Sequence, residues 1–152
     1  WASITDAPSL REAHRALLPL PGMGPFLAYE VLIDYCNSGL LLHSLDSWVY
    51  VGPGARRGAD LVAGRHLTRP EATDLIGQLR DQQDAYLRAA DATLLGPRLT
   101  LENIEQALCE AQKVSRFAQK GRAKRRFIAK ADDEGLWDAL PARFTEEALW
   151  VR

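Results

Sequence analysis

The stretch Leu20-Pro21-Gly22-Met23-Gly24-Pro25-Phe26-Leu27-Ala28 decides how this chain folds. Two glycines one residue apart permit a tight turn where residues with side chains would need a strained backbone. Behind the turn, Phe26, Leu27, Val31, Leu32 and Tyr35 recur at helical spacing, which predicts a helix to about Cys36. Ahead of it, Ser9-Leu10-Arg11-Glu12 has the Ser-x-x-Glu form of a capping box and opens an apolar-periodic helix to about Leu18. The stretch is therefore a hairpin of two helices. Its turn leaves free amides at the positive end of the second helix, a place that suits a phosphate oxygen.

The pattern Leu-Pro-Gly-apolar-Gly with a nearby Ala resembles the helix-hairpin-helix element of DNA-repair glycosylases. Those enzymes place a catalytic aspartate roughly twenty residues past the hairpin, and Asp46 lies 22 positions after Gly24. Asp46 thus supports an alternative reading, a glycosylase-like or modified-thymine-processing enzyme in which it stabilises a sugar cation or activates water. Ser47-Trp48 after it departs from the glycosylase pattern, and an ordinary surface loop also fits. No lysine precedes Lys113, which argues against a Schiff-base nucleophile beside the hairpin.

Beyond the hairpin, helix signals dominate. Trp48-Val49-Tyr50-Val51 reads as a short extended segment closed by Gly52-Pro53-Gly54, with one or two helical turns over 55–63. Thr68-Arg69-Pro70-Glu71 predicts a capped long helix from about Pro70 to Leu94, stopped by Gly96-Pro97. Thr100 caps the next helix, to about Gln119, with Leu101, Ile104, Leu108, Ala111 and Val114 along one stripe. Three short helices are expected over 122–131, 136–140 and 145–149. The expected fold is all-α: one compact domain over 1–152, with about seven or eight helices and a helix-turn-helix-like element.

Composition and charge bound the function. With 152 residues, 47% hydrophobic and 26% charged, the chain can bury its own core. No apolar run reaches the roughly 20 residues of a membrane span, so no membrane partner is expected. Two cysteines are too few for a disulfide scaffold, and three histidines show no metal-ligand spacing, so neither a metal nor a cofactor is expected in the domain. The chain opens on Trp1 with no signal-peptide pattern and reads as a domain excised from something longer.

The net charge of -1 averages three unlike regions. Residues 1–112 sum to -5, residues 113–131 to +8 with no acid, and residues 132–152 to -4. The cationic block holds Lys113, Arg116, Lys120, Arg122, Lys124, Arg125, Arg126 and Lys130. Unbroken positive charge points to a polyanion, although a solvated helix face uses the same residues. A second candidate contact is Gly52-Pro53-Gly54-Ala55-Arg56-Arg57-Gly58, where a rigid exposed turn would present Arg56 and Arg57 to a phosphate. Asp132-Asp133-Glu134 closes the block. A carboxylate beside DNA needs a compensating donor, such as sugar hydroxyls, unless it merely caps the next helix.

Taken together, 21–29, 52–58 and Leu108-Cys109-Glu110 resemble a helical family associated with hypermodified DNA pyrimidines. That family includes pyrophosphorylases and hydroxymethyluracil kinase helical domains. Within it, the basic block closed by two aspartates is most similar to the DNA-binding domains of base-J-binding thymine dioxygenases, base J being glucosylated hydroxymethyluracil. The resemblance spans about residues 20–137. It implies a monomeric, non-catalytic module that binds double-stranded DNA containing base J in the nucleus. The linked dioxygenase would hold Fe(II) and 2-oxoglutarate outside this domain. It implies further that Asp133, or its neighbour Asp132, reads the glucose, while Lys120, Arg122, Lys124, Arg125, Arg126 and Lys130 hold phosphates. Gly22, Gly24, Arg56 and Arg57 would be secondary DNA contacts.

Overall fold

The structure is a computed structural model that describes residues 2–94 and 96–120. Among these, every regular element is a helix: α1 (Ala2–Thr5), α2 (Leu10–Leu17), α3 (Pro25–Asn37), α4 (Pro53–Ala63), α5 (Arg69–Asp81), α6 (Gln83–Ala89) and α7 (Leu101–Lys120). None is long and apolar enough to cross a membrane. The three helices expected beyond residue 121 lie outside the described residues.

Local chemistry starts and stops these helices. The Ser9 hydroxyl accepts from the Glu12 amide, so α2 begins with one orphan donor satisfied. It buries Leu10, Ala13, His14 and Leu17, the one-face spacing of an amphipathic helix. Thr68 and Glu71 complete the capping box of α5, with the Thr68 amide donating to Glu71 Oε2 at 2.8 Å. That hydrogen bond, more than the nearby Arg65, holds the Glu71 carboxyl down at about 2. Thr100 and Asn103 exchange hydrogen bonds at the start of α7 in the same manner.

The long helix expected over 70–94 is two helices. Gln83 is 3% exposed, and its side-chain amide donates to the carbonyls of Arg80 and Leu99 while its oxygen accepts from the Leu99 amide. In a continuous helix the Arg80 carbonyl would accept from the amide at 84. Gln83 occupies that carbonyl, and the helix breaks at Gln82. The second piece ends at Ala89, before Gly96: Asp91 takes a left-handed φ of 51°, and the Ala92 amide closes back on the Leu87 carbonyl at 2.9 Å.

Two buried clusters share α3 as a wedge. Ala28 and Leu32 pack with Ile4, Leu10, Ala13, Leu17 and Leu41, while Tyr29 and Ile33 pack with Val49, Val51, Ala55, Ala59, Ile76, Ile104 and Leu108. Leu45 and Trp48 touch both clusters. Each fully buried Leu or Ile stabilises the fold by about 1.5–3 kcal/mol relative to exposure, so α3 couples the hairpin to the rest of the domain. The extended segment 48–51 runs beside it, with Val49 and Val51 buried and Trp48 set edge-on to Tyr29 at 5.7 Å.

Candidate nucleic-acid interface

The hairpin forms as its sequence predicts. The Leu20 amide donates to the Leu17 carbonyl and the Met23 amide to the Leu20 carbonyl, closing consecutive tight turns between α2 and α3. Gly22 sits at φ +78°, a conformation that favours glycine. Gly24 is different. Its φ of -77° suits any residue, and nothing lies within 4 Å of where a Cβ would stand. No side chain caps α3, and Pro25 carries no N–H, so the uncapped first-turn amides are those of Phe26 and Leu27. Buried His14 braces the turn from below: its Nε2–H donates to the Pro25 carbonyl at 2.8 Å. Leu18, Leu20, Phe26 and Leu27 are exposed around it.

The second glycine motif corrects its sequence reading. Gly52 is buried rather than part of an exposed turn, because α4 begins there against α3 and α7. A Cβ on Gly52 would stand 2.8 Å from the Phe26 ring, one on Gly54 2.5 Å from Cys109 Sγ, and one on Gly58 2.0 Å from the Leu108 carbonyl oxygen. These glycines let two helix backbones touch. The four-residue step from Gly54 to Gly58 places both on one face of α4, the face that meets α7. Arg57 remains exposed, whereas Arg56 is half-buried with its Nε sequestered and without a partner.

Asp46 is also reassigned. Its Oδ2 accepts from Arg80 Nη1 at 2.7 Å, and its Oδ1 accepts from the Leu101 amide at 2.9 Å. One carboxylate thereby ties the 38–52 connection to α5 and satisfies the first amide of α7. Both oxygens are engaged by the fold, which gives Asp46 a structural role that its sequence reading did not include.

Buried acids on α7 escaped the sequence reading. Of the expected stripe, Ile104 and Leu108 are buried and Leu101 is half-buried, but Ala111 and Val114 are exposed, and Glu102, Glu105 and Gln112 face inward as well. Glu105 is 2% exposed, and its Oε1 accepts from the Gly52 amide at 3.0 Å, putting a carboxyl on the N-terminus of α4. Burial pushes its pKa up despite that hydrogen bond, and Glu30 and Glu102 add to the rise. Burial likewise raises Glu102 and Glu30. The Tyr29 hydroxyl, fully buried and without a partner, is raised well above the ordinary phenol by burial, then by Glu105, Glu102 and Glu30. The available signal was Glu105 itself, one residue from Ile104 and one turn from Leu108.

Of the cationic block, Lys113 is exposed and paired with Glu110, and Arg116 is half-buried on α7. Lys120 is the last residue of α7. Arg122, Lys124, Arg125, Arg126, Lys130, Asp132 and Asp133 lie outside the described residues.

A search of curated proteins and a search of solved structures each return no match to the chain. A protein-family match covers residues 1–123 and is described as the helical domain of 5-hmdU DNA kinase. It takes in the hairpin, the α4–α7 contact and the start of the cationic block. The relation to hypermodified-pyrimidine DNA read from the sequence therefore stands at the level of that family. This chain belongs to the family of 5-hmdU DNA kinase helical domains.

Proposed function

We propose that this domain is a non-catalytic module that binds duplex DNA and recognises a 5-hydroxymethylated uracil, delivering a linked catalytic domain to that base. The observation that carries the reading is the α2–α3 hairpin, where an uncapped helix start stands uncovered behind a glycine that nothing inside the protein crowds. A DNA phosphate oxygen is an acceptor to which such amides donate. The family match supplies the modified base, since 5-hmdU is the nucleoside of 5-hydroxymethyluracil.

Base J carries a glucose on the same hydroxymethyl arm. In the finer form of the proposal, Asp133 or Asp132 accepts the glucose hydroxyls. Lys120, Arg122, Lys124, Arg125, Arg126 and Lys130 then supply sequence-independent affinity, with an Fe(II)- and 2-oxoglutarate-dependent oxygenase as the linked enzyme. A kinase is the linked enzyme if the unglucosylated base is the target.

Fluorescence anisotropy tests this with otherwise identical duplexes carrying one thymine, one 5-hydroxymethyluracil or one base J, each across a salt series. Binding should weaken with salt at about 0.9 log units per log unit of salt for every phosphate contact. A modified duplex should bind more tightly than the thymine duplex. Failure to bind any duplex at low salt overturns the proposal. Preference for J over 5-hydroxymethyluracil, abolished by Asp133→Ala or Asp132→Ala, selects the finer form.

A further inference from the structure

We propose that Tyr29 and Glu30 of α3 with Glu102 and Glu105 of α7, beside the start of α4, form the site that reads the hydroxymethyl arm of the modified base. This rests on the reading of the domain as a 5-hydroxymethyluracil binder and gives that reading a specific set of atoms.

The four groups are brought together by the fold. Glu105 reaches the Gly52 amide, and the Phe26 ring lies against that same Gly52 from the α3 side. The Tyr29 hydroxyl lies in the field of Glu105, Glu102 and Glu30. Glu30 and Glu105 both act on Cys109, which sits against Gly54. Exposed Phe26 and Pro53 and half-buried Glu30, Gly54 and Cys109 stand around the cluster. Among the described ion pairs, no lysine or arginine neutralises Glu30, Glu102 or Glu105.

Two atoms there lack partners although they are buried: the Tyr29 hydroxyl and Glu30 Oε1. Buried polar groups are ordinarily hydrogen-bonded, and each one left unpaired costs about 1–3 kcal/mol. Metal binding is not the explanation, since no group of His, Cys, Asp and Glu among the described residues is arranged to hold an ion. What the site offers is a surplus of acceptors beside an aromatic ring. A pyrimidine turned out of the helix is read by stacking and by hydrogen bonds to its edge. Thymine has one ring donor, N3–H, on that edge. 5-Hydroxymethyluracil adds an alcohol donor on the C5 arm, and an acceptor-rich site distinguishes the two by that hydroxyl. Phe26 supplies the stacking face, and half-buried Glu30 is the most exposed acceptor of the four.

The test uses the whole chain with thymine and 5-hydroxymethyluracil duplexes, comparing wild type with Glu30→Gln and Tyr29→Phe. A single hydrogen bond to a charged group corresponds to a preference of about tenfold or more. Glu30→Gln and Tyr29→Phe should each bring the ratio of the two affinities to near unity. Tyr29→Phe removes one hydroxyl without altering the packed ring, so it decides the matter if Glu30→Gln fails to fold. Wild-type preference that survives in folded variants overturns this inference and leaves the DNA-binding reading standing. A wild type that binds DNA without preference, or does not bind it, overturns the recognition reading and this site together.

Discussion

Two helices in this domain begin with the same words and stand in opposite surroundings. Gly24-Pro25 starts α3 and Gly52-Pro53 starts α4, each with glycine in an extended conformation, proline in the first turn and no side-chain cap. At Gly52 the protein supplies its own carboxyl, Glu105, with the Phe26 ring packed beside it. At Gly24 it supplies nothing. A helix start answered by a carboxyl from within leaves no place for a phosphate, whereas one left unanswered at the surface is open to one. Phe26 belongs to both, because it is the second residue of α3 and the lid over the start of α4.

The comparison breaks most visibly at the covered site. Gly52→Ala forces the Phe26 ring and the Glu105 carboxyl to shift, and overpacking of this kind costs about 1–3 kcal/mol. Thermal melts should therefore show a drop of several degrees. A variant melting with the wild type would mean that the contact gives way freely, and the contrast between the two starts would collapse.

The pH dependence is a smaller effect. Burial raises Glu105 above its ordinary value, so the fold favours the protonated acid. Its contribution is complete below the unfolded value of about 4.3 and is lost as pH climbs through the folded value. Glu71, held down at about 2, runs the other way: its contribution is present above the ordinary value and lost on acidification. Denaturant melts of Glu105→Gln should show a flatter decline above about pH 4.3 than the wild type, with the acid limb unchanged. Parallel curves would show that Glu105 does not titrate differently in the fold.

The smallest stability effect belongs to Gly24. With ordinary φ and open space, Gly24→Ala should leave the melting temperature within about a degree, since surface substitutions stay within about ±0.5 kcal/mol. On the proposed phosphate contact at the hairpin, its DNA affinity should fall several-fold, because the new methyl group would crowd that phosphate. Unchanged affinity on duplexes that wild type binds would remove the hairpin from the interface.

What could be read in advance was whatever depends on a few neighbouring residues. The caps at Ser9, Thr68 and Thr100, the Gly22 turn and the helix behind it follow from side chains reaching their own backbone. What could not be read depends on a distant partner. Gly54 and Gly58 resembled a phosphate loop because Cys109 and Leu108, their actual neighbours, lie some fifty residues on. Asp46 resembled a catalytic group because Arg80 and the Leu101 amide are equally remote in sequence. Glu105 was passed over because a stripe drawn only through apolar side chains cannot show a buried acid. Gln83 split a helix by turning its amide inward, which local propensity does not record.

The close seating of Gly58 on Leu108 also governs what comes after it. Helix α7 runs on from that seat to Lys120, twelve residues or about 18 Å at 1.5 Å per residue. Lys113, Arg116 and Lys120 are thus mounted on a strut clamped at its base, not strung on a tether. Helix positions on a strut need little further ordering to meet a polyanion of the kind proposed above, so the clamp at one glycine sets where the cationic block begins.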